Sequence, residues 1–142
     1  MSKTWIVVAE SSRAKIYEVD KNDSKKTLRE LTGFTHSVSR SHKQQLSGNL
    51  QKESRHSLLT TSLDTHKDHE RVEFARTIGE HLNSARNKGK FNKLILMSAP
   101  RFLGDLRKNL SNETNKFVIS EVDKNLVRHN IKDIKAHLPV LY

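Results

Sequence analysis

The segment that most constrains the fold of this chain is residues 93–110, KLILMSAPRFLGDLRKNL. It opens with a short apolar run that predicts a strand buried on both faces. Pro100 ends that strand because proline has no backbone N–H, and it suits the first turn of a helix. The apolar residues that then recur at helical spacing are Phe102, Leu103, Leu106 and Leu110. We therefore predict a strand, a tight turn and a helix. Ser98, Arg101 and Gly104 would lie at the carboxyl end of the strand, where open α/β sheets bind ligands.

The other predicted elements give an α/β fold. Strands are predicted at residues 4–9, 13–19, 28–34 and 117–122, and helices at residues 68–88 and 130–138. Short turns join the first three strands, as in an antiparallel meander, and Gly89 is a natural helix end. The order β-β-β-α-β-α-β-α predicts a mixed β-sheet flanked by helices, in a single domain spanning residues 1–142.

A long polar segment, residues 35–66, separates the meander from the next predicted element. It shows little periodicity, and a loop of this length in a compact domain is either functional or disordered. Its basic residues are Arg40, Lys43, Lys52 and Arg55. We expect a loop that contacts a polyanion, the alternative being a flexible insertion that only links its neighbours.

The composition bears on partners and compartment. The chain of 142 residues has a formal net charge of +10 and no cysteine. The charge favours RNA, DNA or anionic membranes as partners, although charge alone also keeps a protein soluble. The lack of cysteine excludes disulfides and thiolate chemistry. No signal peptide or apolar run of roughly 20 residues is present, so we expect a soluble, cytoplasmic protein without membrane contact.

The patterns of metal, nucleotide and nucleophile sites are missing. His66 and His69 have helix-compatible spacing, but no acid or cysteine completes a ligand pattern. No Gly-x-Ser-x-Gly elbow is present, and Gly48 stands without the other glycines of a P-loop. The sequence therefore predicts a protein without metal or cofactor, and not an enzyme.

Basic residues at turns, at helix ends and in the long segment are the main sign of nucleic-acid binding. Such side chains neutralise phosphates, and the scarcity of aromatic residues favours recognition of RNA shape and backbone over base stacking. The predicted RNA-binding residues are Arg13, Arg40, Lys43, Lys52, Arg55, Arg101, Arg107, Lys124 and Arg128. For each one taken singly, a solvated charge is the alternative.

The sequence also resembles a known family. Residues 98–110, SAPRFLGDLRKNL, look like the signature of the bacterial host attachment proteins. Residues 11–14, 69–82 and 91–97 resemble the family's first turn, first helix and following strand. The run VDKNL at residues 122–126 resembles its late Asp-Lys-Asp-Leu motif, with Asn125 in place of the second acid. The resemblance covers most of the chain outside residues 36–63.

That family is similar in fold to the middle domain of archaeal and eukaryotic class I release factors and of Pelota. The resemblance implies an α/β domain of the ribosomal protein L18/S11 type. In release factors the long loop before the first helix carries Gly-Gly-Gln, which promotes peptidyl-tRNA hydrolysis. Residues 44–50 of this chain read QQLSGNL, and Gly-Gly-Gln occurs nowhere. The resemblance thus implies ribosome or tRNA contact without that hydrolysis.

Three functions follow as expectations. The first is a non-catalytic ribosome- or RNA-binding protein of translation, acting in hibernation, stalling or rescue, with the ribosome as partner. The alternative is a host-attachment or stress-related interaction protein with a protein or surface partner. The third is a hydrolase of nucleic acid or tRNA esters that uses His42, Gln44 or Gln45 of the long loop.

Overall fold

The computed structural model describes residues 3–20, 26–35 and 56–139, and for residues 56–67 it describes the backbone alone. The strands are β1 (Thr4–Ala9), β2 (Arg13–Val19), β3 (Leu28–Thr35), β4 (Lys93–Met97) and β5 (Val118–Val122). The helices in this part of the chain are α1 (His56–Asn87), α2 (Pro100–Asn109), α3 (Asn112–Lys116) and α4 (Ile131–Ala136).

The five strands form one mixed sheet in the order β3-β2-β1-β4-β5. The first three strands pair antiparallel, which confirms the predicted meander. β4 and β5 add in parallel on the other side of β1. β1, β4 and β5 therefore end at the same edge, which we call the carboxyl edge. β2 runs the other way and begins there.

Apolar side chains cover both faces of the sheet. On one face, α1 and α2 pack through residues such as Phe74, Ile78 and Leu106 against alternate residues of β1 and β4. On the other face, Ile134 of α4 joins the second cluster, which includes Ile6 and Ile95. All six residues of β1 are buried, which agrees with its unbroken apolar, β-branched pattern. The predicted mixed sheet flanked by helices is confirmed.

The first helix is longer than the sequence predicts. It begins at His56, twelve residues before the expected start at Asp68. No glycine or proline occurs between residues 49 and 78, so nothing in the covalent chain stops a helix nucleated on the packed part. The predicted loop at residues 35–66 is therefore wrong over residues 56–66. Arg40, Lys43, Lys52 and Arg55 lie outside the described residues, as do His42, Gln44 and Gln45 of the hydrolase hypothesis.

The chain after α2 also differs from the prediction. Residues 111–114 were expected only to break a helix, but Ser111 instead begins α3 as its N-cap. Its hydroxyl accepts a hydrogen bond from the backbone N–H of Thr114 at 3.1 Å. Serine is a favoured N-cap because its oxygen satisfies one of the free N–H groups of the first turn.

The end of α1 is as predicted. Gly89 has a φ of 70°, and the backbone N–H of Lys90 donates to the carbonyl of Ala85 at 3.0 Å. This is the pairing of a Schellman motif, in which glycine takes the left-handed conformation without strain.

Candidate functional site

A cavity opens at the carboxyl edge, where the loops after β1, β4 and β5 meet the side of α1. Its volume is about 720 Å³, within the range of roughly 300–1,000 Å³ that is typical of small-molecule sites. The residues lining it are Glu10, Ser11, Asp68, Arg71, Ala99, Arg101, Phe102 and Asn125. β1 lies between β2, the next strand in the chain, and β4, which is reached only after α1. The cavity thus lies at a topological switch point, the usual place for ligands in open α/β sheets.

Arg71 lines the cavity and is the centre of a network of charged side chains. Its Nε donates to Oδ2 of Asp105 at 2.5 Å, and its NH1 donates to Oδ1 of Asp68 at 2.7 Å. The side chain of Arg71 is 17% exposed and that of Asp105 is 12% exposed, so their ion pair is largely shielded from water. The hydrogen bond to Asp105 is the main cause that raises the pKa of Arg71 above its ordinary value. Arg71 is therefore a fixed cation, held through its Nε and NH1 donors by Asp105 and Asp68.

Glu10 forms the opposite wall, just after β1. Its carboxylate accepts a hydrogen bond from Nδ2 of Asn125 at 3.0 Å, and NH2 of Arg128 lies 4.0 Å from its Oε1. The backbone N–H of Glu10 donates to the carbonyl of Arg13 at 2.7 Å, which closes the turn into β2. These contacts join the loops after β1 and β5 at one point.

Arg101 lies at the rim, in the first turn of α2. Its side chain is 74% exposed, and the carboxylate within ion-pair reach in the described part of the chain is that of Asp68, at 4.0 Å. That separation is beyond hydrogen-bond distance. Ala99, the N-cap of α2, offers no side-chain cap. The guanidinium of Arg101 thus faces the cavity and solvent with its donors unused within residues 3–20, 26–35 and 56–139.

Ser98 precedes this turn and differs from the sequence expectation. Its side chain is fully buried, and its hydroxyl has no hydrogen-bond partner among the described residues. Its backbone N–H donates to the carbonyl of Val122 at 3.0 Å, which ties the ends of β4 and β5 together. Of the three turn residues predicted to contact a ligand, only Arg101 lines the cavity, because Ser98 points into packed structure and Gly104 lies within α2.

The structure brings together four of the nine predicted basic residues. Arg13 begins β2, Arg101 begins α2, and Lys124 and Arg128 follow β5, so all four belong to the carboxyl edge and are exposed. Arg107 lies apart, in the last turn of α2, where its Nε is 3.5 Å from Glu121 of β5. The remaining four lie outside the described residues. The assignment of these residues to RNA stays a prediction.

Sequence reasoning missed five residues of this site: Glu10, Asp68, Arg71 and Asn125, which line the cavity, and Asp105, which binds Arg71. Two of them carry a signal that could have been used. Arg71 falls on the apolar stripe of the first helix, and Asp105 lies between the buried residues Leu103 and Leu106. A charge on an apolar stripe indicates a buried ion pair, since burying an unpaired charge is costly.

Within the described ranges, no group of three or more His, Cys, Asp or Glu side chains is placed to hold a metal ion. Within the same residues, no helix is both long and apolar enough to cross a bilayer.

The fold and the cavity define a mixed α/β protein with a polar site at the carboxyl edge. The family described as "protein required for attachment to host cells" matches residues 5–138. The chain therefore belongs to the host attachment family, and the resemblance predicted from residues 98–110 is confirmed.

Two further proteins are similar to this chain. An uncharacterised protein of Rickettsia prowazekii (strain Madrid E) is 35% identical over 71 residues, which is 49% of this chain and 47% of that protein. The match thus spans about half the length of that relative. The Ppx/GppA phosphatase of Aquifex aeolicus superposes with a TM-score of 0.43 at 11% identity, over 86% of this chain and 35% of the phosphatase.

These comparisons correct the function expected first. The family is described by attachment to host cells, and the Rickettsia relative is uncharacterised, so neither supports a ribosome- or RNA-binding role in translation. The expectation of a translation protein is contradicted, and its attachment alternative agrees with the family. The predicted likeness to release factors and Pelota finds no support in these comparisons.

Proposed function

We propose that this chain is an interaction protein that contributes to the attachment of bacterial cells to host cells. The observation that carries the proposal is the family match, which spans residues 5–138 and so includes the sheet, apart from Thr4, and every described helix. The carboxyl edge supplies a surface for such an interaction, because its cavity and exposed arginines are formed by loops and helix ends rather than by the core.

We propose that the role is binding and not catalysis. Each carboxylate at the cavity already has a partner: Asp68 and Asp105 bind Arg71, and Glu10 binds Asn125. A general acid or base must be free to exchange a proton with a substrate, whereas these groups are committed to holding the walls in place. This arrangement supports a preformed binding surface.

An adhesion assay tests the attachment role. We expect cells that lack the gene to attach to cultured host cells less well than wild-type cells, and we expect the wild-type gene to restore attachment. The matched control restores the gene with Ile78→Asp. Ile78 is fully buried, so this charge disrupts the core and the variant should not restore attachment. Equal attachment with and without the gene would overturn the proposal.

We also propose a cytoplasmic location, in which case the contribution to attachment runs through a protein partner inside the cell. Fractionation with immunoblotting tests this proposal. If an antibody against the protein labelled intact cells, the cytoplasmic location would be contradicted and direct contact with the host surface would be favoured.

We also propose that the fold is of the ribosomal protein L18/S11 type. The supporting observation is a mixed sheet with a three-stranded meander followed by two parallel strands. Superposition of an experimental structure on that fold tests it, and a different strand order there would contradict it.

A further inference from the structure

We propose that the cavity at the carboxyl edge binds a sugar that carries a phosphate or sulfate group, with Arg101 as the main anion-binding residue. The proposal goes beyond the attachment role and does not depend on it, because it concerns binding by the purified chain. It rests on the volume of the cavity, on its place in the sheet and on which of its charges are already paired.

The acidic groups of the cavity are already hydrogen-bonded within the protein. Asp105 and Asp68 share the guanidinium of Arg71 at 2.5 Å and 2.7 Å. Glu10 accepts from Asn125 at 3.0 Å. An incoming cation would compete with these hydrogen bonds for the carboxylate oxygens.

The free charged groups are cationic: Arg101 lines the cavity, and Arg128 lies beside the lining residue Glu10. Arg101 and Arg128 are 74% and 72% exposed, and each lies 4.0 Å from a carboxylate, Asp68 for the first and Glu10 for the second. At that separation each carboxylate attracts its arginine, but the N–H donors of the two arginines stay free of hydrogen bonds to it. A guanidinium binds phosphate and sulfate through paired N–H···O bonds, which a tetrahedral oxyanion accepts in the required fork geometry.

The rest of the cavity fits the body of a small polar ligand. At about 720 Å³ it has room for a sugar beyond the anionic group. Ser11 lines the same space and offers a hydroxyl suited to the hydroxyls of a sugar. Asn125 lines it too, and its amide keeps one N–H beyond the bonds to Glu10 and Val127. Phe102 adds an apolar wall against which a sugar ring can pack.

Phosphate and sulfate share this chemistry, and a titration separates them. Glucose-6-phosphate and glucosamine-6-sulfate are added to the ¹⁵N-labelled full chain, with glucose as the uncharged control. We expect one or both anionic sugars to shift the backbone amides of Ala99 and Phe102 and the side-chain amide of Asn125. Glucose should leave them unchanged.

Substitutions then locate the anion. Because a charge-assisted hydrogen bond is lost, Arg101→Ala should weaken binding by about tenfold or more. Arg101→Lys should recover only part of that loss, because lysine keeps the charge but not the fork. The matched control is Arg29→Ala. Arg29 is also exposed and also pairs with one carboxylate, Glu18, but it lies near the opposite edge of the sheet.

The outcomes are distinct. Binding that falls in Arg101→Ala and persists in Arg29→Ala supports the proposal. It is overturned if neither anionic sugar shifts the cavity amides, or if Arg101→Ala binds as tightly as the wild-type chain. Circular dichroism of each variant shows whether the fold is intact, and Arg128→Gln provides a second exposed position if Arg101→Ala is unfolded.

Discussion

At the scale of single residues, Arg71 is the side chain on which the carboxyl edge depends. It lies on the packed side of α1, yet it binds two carboxylates, one on its own helix and one on α2. A buried ion pair adds little net stability compared with apolar packing, but removing one partner leaves an uncompensated charge. The pair therefore fixes the position of α1 against α2 and, with it, the floor of the cavity.

Asp105→Ala should lower the free energy of unfolding by about 3 kcal/mol, because Arg71 would lose its more buried partner. Urea denaturation measures this change. The control is a double variant, Arg71→Leu with Asp105→Leu, which removes both charges. Its loss of unfolding free energy should be smaller than the sum of the losses in Arg71→Leu alone and Asp105→Leu alone. Additive costs would mean that the two side chains do not interact in solution.

At the scale of elements, α1 and α2 approach each other most closely where α1 carries Gly79. A Cβ built on Gly79 would lie 2.7 Å from Cβ of Asn109 and 2.8 Å from its carbonyl oxygen. Asn83, one turn further along α1, donates to the same carbonyl at 3.1 Å and accepts from the backbone N–H of Ser111 at 2.9 Å. The side chain of Asn83 thus holds the end of α2 and the start of α3 against α1, and the close approach at Gly79 leaves no room for a side chain there.

Gly79→Ala should destabilise the protein by roughly 1–2 kcal/mol. The gain in helix propensity, up to about 1 kcal/mol, is smaller than the cost of forcing two packed helices apart. Gly104→Ala is the matched control, since Gly104 is also in a helix and an added Cβ there meets nothing within 4 Å. Gly104→Ala should therefore be neutral or stabilising. Thermal unfolding of both variants measures the difference, and a more stable Gly79→Ala would show that the two helices separate at little cost.

Element boundaries show where local pattern is sufficient and where it fails. β4 and the start of α2 were predictable because an apolar run, Pro100 and a helical repeat follow one another directly in the sequence. The start of α1 was not, because the polar residues before Asp68 lack the apolar stripe on which the prediction relied. α3 was missed because Ser111 was interpreted as a helix breaker when it acts as a helix N-cap.

At the scale of the whole molecule, the cavity was beyond sequence reasoning for a different reason. Glu10 and Asn125 form a hydrogen bond although they are 115 residues apart. Their meeting depends on β5 being added beside β4 and β4 beside β1, and the strand order is not encoded in any local pattern. The predictable part was that the turn after β4 would lie at the carboxyl edge of the sheet, and Arg101 of that turn does line the cavity there.

The packing of three elements also places a titratable group between aromatic rings. His81 of α1 stacks on Trp5 of β1, with ring centroids 6.2 Å apart, and meets Phe34 of β3 edge-on at 5.1 Å. Burial lowers the pKa of His81 below its ordinary value of 6.5, and the positive charges of Lys90 and Lys88 lower it further. The folded protein therefore favours the neutral imidazole at this position.

This preference makes the stability of the whole molecule depend on pH. Above the unfolded-state pKa, near 6.5, His81 is neutral in both states and its contribution is fully present. As the pH falls below that value, the unfolded chain takes up a proton that the folded chain resists, so stability is lost until the lower folded pKa is passed. His81→Gln should therefore lose less stability than the wild-type chain between about pH 8 and about pH 5, as measured by urea denaturation at each pH.

His69→Gln, a change at an exposed histidine of the same helix, controls for the loss of a histidine from α1. The same pH dependence in His81→Gln and in the wild-type chain would show that burial and the nearby lysines do not disfavour the charged form of His81.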